Sequence, residues 1–153
     1  MIMTTLCTNI KTGAATEYSG YGFESFCRAH DGRYYGINEG GLYLLDGETD
    51  DGVEISAVID YGDIDFGASA LKSLAAAYAQ VASEERMELR ITQNGDEYEY
   101  LARSCSEEMQ AQRFDTGKGL RANFFGVKIA NTEGCDFTLD SVELAVVATS
   151  RRI

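Results

Sequence analysis

The stretch from Arg86 to Ser104 restricts the possible folds more than any other part of the chain. Met87, Leu89 and Ile91 alternate with Glu88, Arg90 and Thr92, which puts the three apolar side chains on one face of a β-strand. Asn94-Gly95 follows, a pair that tolerates the positive φ a tight hairpin turn needs. Tyr98, Tyr100 and Ala102 then resume the alternation against Glu97, Glu99 and Leu101. The pattern predicts a β-hairpin.

Other segments read the same way. Tyr34, Tyr35 and Ile37 lead into Asn38-Glu39-Gly40-Gly41, and Leu42 to Leu45 return, which predicts a second hairpin over Arg33 to Leu45. From Val53 to Tyr61, Val53, Ile55, Ala57, Ile59 and Tyr61 are expected to share one strand face. Leu120 to Ile129 and Phe137 to Val147 read as two long strands around a turn at Asn131-Thr132-Glu133-Gly134. Leu71 to Ala82 is alanine-rich and suits a helix by propensity. Its alternation, Leu74, Ala76 and Tyr78 against Ala75, Ala77 and Ala79, favours a strand. The expected fold class is all-β, an antiparallel β-sandwich of jelly-roll type with at most one short helix. The chain has no proline and no Ser/Gly-rich stretch to serve as a linker. It therefore reads as one domain over residues 1–153, with residues 1–15 open to reading as an extended arm.

The formal net charge is −12, which opposes nucleic-acid phosphates and anionic lipid. The charge is uneven: residues 1–66 hold three Lys/Arg against twelve Asp/Glu, and residues 67–153 hold ten against thirteen. No segment is apolar for long enough to span a bilayer. Met1-Ile2-Met3-Thr4-Thr5-Leu6 lacks the basic start and apolar run of a signal peptide, so synthesis in the cytosol is expected. Cys7, Cys27, Cys105 and Cys135 lie far apart, without the close pairs of a zinc site. They are expected to be free and largely buried.

Motifs that could carry chemistry fail on their details. Asp46-Gly47-Glu48-Thr49-Asp50-Asp51-Gly52 resembles the start of a calcium loop, but Asp51 stands where glycine is needed and Ala57 where a bidentate glutamate should close it. Asp115-Thr116-Gly117 matches the aspartic-protease triplet, yet Arg113 and Lys118 flank it where that apolar cradle cannot hold charge. Thr116-Gly117-Lys118-Gly119 lacks the earlier glycine and the following Ser/Thr of a phosphate loop. His30 is the only histidine, which excludes any site with two imidazoles. Asp60, Asp63 and Asp65 are close enough to suggest paired carboxylates, but such a pair works only across a substrate cleft, and local acidic density at a strand end is the simpler explanation. No catalytic residue, cofactor or metal is expected, and the chain reads as a non-enzyme.

Several phrases together resemble the structural tail proteins of tailed bacteriophages. They are Phe23-Glu24-Ser25-Phe26, Asp31-Gly32-Arg33-Tyr34-Tyr35-Gly36, Gly41-Leu42-Tyr43-Leu44-Leu45-Asp46-Gly47 and Asp65-Phe66-Gly67. Gly117-Lys118-Gly119-Leu120-Arg121-Ala122-Asn123-Phe124 and Asp136-Phe137-Thr138-Leu139-Asp140-Ser141 follow, with a basic end at Arg151-Arg152-Ile153. The resemblance covers roughly residues 15–153. The chain departs from the family pattern at Lys118, where an arginine is expected, and at Phe125, where a larger aromatic is expected. The resemblance implies a non-enzymatic virion protein, present in several copies in the tail, baseplate or tail-fibre region. Its partners would be copies of itself and other tail proteins.

On that reading, basic residues such as Arg121, Arg151 and Arg152 would meet the acidic N-terminal half of a neighbour. Phe124 and Phe125 would supply the buried anchors of the contact. The alternative is a carbohydrate-binding module in host-surface recognition, with Tyr18, Tyr21, Tyr34, Tyr35 and Tyr43 as candidate stacking platforms for a glycan. A third reading, an acidic mimic of DNA, is disfavoured because the acids cluster in turns such as Glu48, Asp50 and Asp51.

Overall fold

The computed structural model describes residues 4–149, and all the regular structure there is β. The chain divides into two compact units, Met1–Gly47 and Glu48–Ile153. A single domain was expected because no linker is visible. The division needs none, because every strand pairs within its own unit, and in the sequence the boundary falls after Asp46-Gly47, between β5 and β6.

In the first unit β1 (Thr4–Thr8) and β2 (Ala15–Ser19) form an antiparallel hairpin. The Asn9 side chain accepts from Lys11 N at 2.9 Å, and Gly13, at φ 74°, donates to Asn9 O. Residues 4–15 are thus a strand and a turn, not an extended arm. Next, β3 (Ser25–Arg28), β4 (Tyr34–Asn38) and β5 (Gly41–Leu44) form a three-stranded antiparallel sheet. The last two are the predicted second hairpin, turning at Glu39-Gly40.

The second unit opens with β6 (Thr49–Asp50) and β7 (Val53–Glu54), joined by Asp51-Gly52 at φ 50° and 82°. Positive φ at both central residues marks the hairpin turn whose twist suits the strands on either side. The acidic run therefore ends in a strand, Thr49–Asp50, and a tight turn at Asp51-Gly52. The remaining strands are β8 (Val58–Ile64), β9 (Lys72–Ser83), β10 (Glu88–Gln93), β11 (Asp96–Leu101), β12 (Ser106–Phe114), β13 (Arg121–Ala122), β14 (Phe125–Ala130) and β15 (Phe137–Ala148). One sheet has the order β11-β10-β14-β8. In the other, β9 is central, with β15 along one side and β12 and β13 in turn along the other. The two inner faces share one core, including Met87, Leu89, Ile91, Phe125, Val127 and Ile129 from the first sheet and Leu74, Ala77, Ala79, Val81 and Phe114 from the second. This is an all-β sandwich.

The β10–β11 hairpin forms as the sequence predicts, with Gln93 opposite Asp96 and Asn94 and Gly95 at φ 53° and 92°. Lys72 to Ala82 is strand, because β9 is the central strand of its sheet and pairs with β15 on one side and with β12 and β13 on the other. Its alternation is not the simple one expected. Lys72 and Leu74 point inward, then Ala77, Ala79, Val81 and Ser83 do. The ladder to β15 skips Ala75, and this β-bulge reverses the phase. Lys72 is buried, and its ammonium donates to Ala68 O, Ala70 O and Asn123 O at 2.5, 2.8 and 2.6 Å, which uses all three donors.

Two expected long strands are broken. Val53 to Tyr61 divides into β7 and β8. β8 lies at a sheet edge, so Ile59 and Tyr61 stay exposed. A bulge opposite Val127, with Gly62 at φ 68° and the Asp60 side chain accepting from Gly62 N at 2.7 Å, also breaks their shared face. Leu120 to Ile129 divides into β13 and β14, which belong to different sheets; the chain crosses the sandwich at Asn123-Phe124.

Candidate functional site

The charged motifs have structural roles. Arg103 Nε donates to Asp115 Oδ2 at 2.5 Å, and Arg113 Nε lies 3.5 Å from Oδ1. The Arg103 hydrogen bond holds the Asp115 carboxyl below its ordinary pKa. An ionised, doubly paired carboxylate at an exposed turn is the opposite of a shared-proton dyad. Asp60 and Asp65 each accept from the backbone N–H two residues on, Gly62 and Gly67, and so act as turn formers. Among the described residues no three His, Cys, Asp or Glu side chains gather as metal ligands. No helix there is long and apolar enough to cross a membrane. The four cysteines are free, but Cys7, Cys27 and Cys105 are exposed instead of buried, because each falls in a strand or turn outside the core cluster.

The expected interface residues separate. Phe124 is half-exposed at the crossing between sheets, and Arg121, three residues earlier in β13, is exposed. Phe125 is fully buried and packs edge-on against Phe66, ring centroids 6.4 Å apart. It is a core residue and cannot anchor a partner, because the one-residue step along β14 turns it inward. Arg151 and Arg152 lie outside the described residues. The charge asymmetry also changes once the units are known. The first unit holds three Lys/Arg and five Asp/Glu, so twenty of the acids lie in the second. An acidic N-terminal half is not a structural element.

Sequence reasoning missed the surface of the first unit. Of its described residues only Gly36 is fully buried. One face of the β3–β5 sheet is covered by its own aromatic cluster. Phe23 lies directly on Gly36 and is ringed by Tyr21, Phe26 and Tyr43 at centroid distances of 4.8, 5.8 and 5.5 Å. Burial in this cluster, with smaller contributions from Cys7 and Tyr18, raises the pKa of the Tyr21 phenol.

The other face carries two cross-strand rows, Ser25–Ile37–Leu42 and Cys27–Tyr35–Leu44. None of the six is charged. Ile37, Leu42 and Leu44 remain 47, 64 and 42% exposed. The signal was present in the sequence as the alternation of Tyr35 and Ile37 and of Leu42 and Leu44, but it reads as core until the structure shows what lies opposite. Of the candidate sugar platforms, Tyr18 and Tyr34 are exposed, with the Arg28 guanidinium 5.6 Å from the centre of the Tyr34 ring. Tyr21, Tyr35 and Tyr43 are half-buried.

Compared with known proteins, the chain matches no family model, no curated protein and no solved structure.

Proposed function

We propose that this chain is a non-enzymatic structural subunit of a bacteriophage tail, present in several copies and held by contacts between subunits. The observation that carries the reading is the uncharged apolar face of Ile37, Leu42, Leu44 and Tyr35. A unit of 47 residues is close to the size below which a chain needs outside help to stay folded. Leaving such a face in water wastes the burial that would stabilise it. A neighbouring tail subunit would cover it, with Phe124 and Arg121 as a second contact region and the resemblance naming the assembly. The Asp51-Gly52 hairpin turn and the pairing of Asp115 with Arg103 and Arg113 give these two motifs structural roles, which suits the reading.

The test is complementation of a phage lacking the gene, followed by mass spectrometry and electron microscopy of purified particles. The wild-type chain should be found in the tail. Leu42→Glu with Leu44→Glu should lower particle yield at least tenfold while the isolated protein stays folded. Absence of the chain from particles would refute the proposal. A second reading, glycan binding on the open rings of Tyr18 and Tyr34, would be removed by a silent glycan array.

A further inference from the structure

A sheet edge left open invites another strand, and natural proteins guard their edges with charge, bulges or cover. The sandwich unit guards three of its four long edges. β8 carries Asp60 and Asp63 and is bent by the bulge at Gly62. β11 carries Asp96, Glu97 and Glu99 and is tied at its end to β12 through the Ala102–Phe114 bridge. β12 carries Glu107 and Glu108, where its own pairing is interrupted.

The fourth, β15, has no such guard over its second half. It pairs with β9 alone among the described residues, and Thr149 at its end turns both its N–H and its hydroxyl to Leu71 O on the β9 side. After the bulge at Asp140 it runs Ser141-Val142-Glu143-Leu144-Ala145-Val146-Val147-Ala148, with one charge and no proline.

We propose that this edge pairs antiparallel with the same edge of a second copy, joining two sandwiches through one continuous sheet. Side-chain parity limits the register. Val142, Leu144 and Val146 pack toward the core, and Ser141, Glu143, Ala145 and Val147 face out. Directly opposed residues share a face, so inward residues must meet inward residues. The two-fold axis must then pass at a residue, and only axes at Leu144 or Ala145 pair seven of the eight residues Ser141 to Ala148.

Charge chooses between them. Centring on Leu144 places the two Glu143 side chains diagonally, about 7–8 Å apart. Centring on Ala145 separates them by four residues, about 13 Å, and copies of net charge −12 favour the wider spacing. In that register Ala145 meets the partner's Ala145, Leu144 meets the partner's Val146, and Glu143 meets the partner's Val147. The inference rests on the edge alone and is independent of the phage reading.

Val147 tests it, being 55% exposed and outward-facing, so substitution there leaves the fold intact. Val147→Lys creates two Lys–Glu pairs across the axis and should tighten the dimer several-fold. Val147→Glu creates two Glu–Glu pairs and should weaken it by roughly fivefold to twenty-fivefold. Sedimentation over a concentration series in moderate salt reads the change. Hydrogen exchange should show the amides of Ser141 to Ala148 gaining protection as concentration rises. A wild-type chain that stays monomeric up to about 1 mM, a binding energy near 4 kcal/mol, would overturn the pairing. Lysine and glutamate acting in the same direction would overturn the register.

Discussion

Gly36 is the point where the first unit can be broken without touching the second. A Cβ there would lie 2.6, 2.8 and 2.9 Å from three atoms of the Phe23 ring, closer than carbon atoms can approach, so the ring must lift. Phe23 makes three of the aromatic contacts in the cluster, with Tyr21, Phe26 and Tyr43. Such pairs contribute about 0.5–1.5 kcal/mol each beyond area. Replacing glycine by alanine recovers about 0.4–1 kcal/mol by restricting the unfolded chain, since Gly36 is not among the positive-φ residues. The net expectation for Gly36→Ala is a loss of about 1–4 kcal/mol, confined to residues 4–47. Hydrogen exchange by NMR should show the amides of β3, β4 and β5 losing protection while those of β9 and β14 keep theirs. In a Phe23→Ala background the same substitution should cost less than about 0.5 kcal/mol, because the clash is gone. Equal loss in both backgrounds, or unchanged protection in β3–β5, would refute the packing argument.

Gly95→Val should lower the stability of the second unit by about 1–3 kcal/mol through backbone strain, since nothing lies within 4 Å of the added Cβ; an unchanged melting temperature would place the turn's requirement elsewhere. Phe125→Ala should cost about 3–5 kcal/mol as a core deletion, whereas Phe124→Ala should change stability by only about 0.5 kcal/mol while lowering particle yield. Gln112 is buried, its Oε1 unpartnered among the described residues and its Nε2 donating at 3.4 and 3.5 Å to Val81 O and Ser83 Oγ, so Gln112→Met, which removes the orphan oxygen and two long bonds together, should leave stability within about 1 kcal/mol of wild type in chemical denaturation. The depressed pKa of Asp115 means its contribution is present above the ordinary carboxylate pKa and fades as pH falls through the lowered value. Arg103→Gln should move the Asp115 titration upward in carbon-detected NMR, and an unmoved titration would show that the Arg103 hydrogen bond is not the cause.

The hairpins were legible because their information is local. Asn94-Gly95 and the residues around Glu39-Gly40 specify their turns, and the alternation on each side specifies the strands. The identity of β9 as a strand was half-legible, since alanine suits a helix and its pairing partners decide otherwise. The candidate site was legible only as residue types. Tyr35, Ile37, Leu42 and Leu44 look like ordinary core in the sequence, and Phe124 and Phe125 look interchangeable. One is open and the other buried only because the chain crosses between sheets at that step.

By itself, then, the sequence determined the all-β class and the hairpin turns, both of which follow from neighbours along the chain. Only the tertiary structure decided the phase reversals at Ala75, Gly62 and Asp140, the break between β13 and β14, and the division at Gly47. A bulge or a sheet crossing depends on register against a strand tens of residues away. A face is core or interface according to what packs against it. Neither quantity is carried by any short stretch of residues.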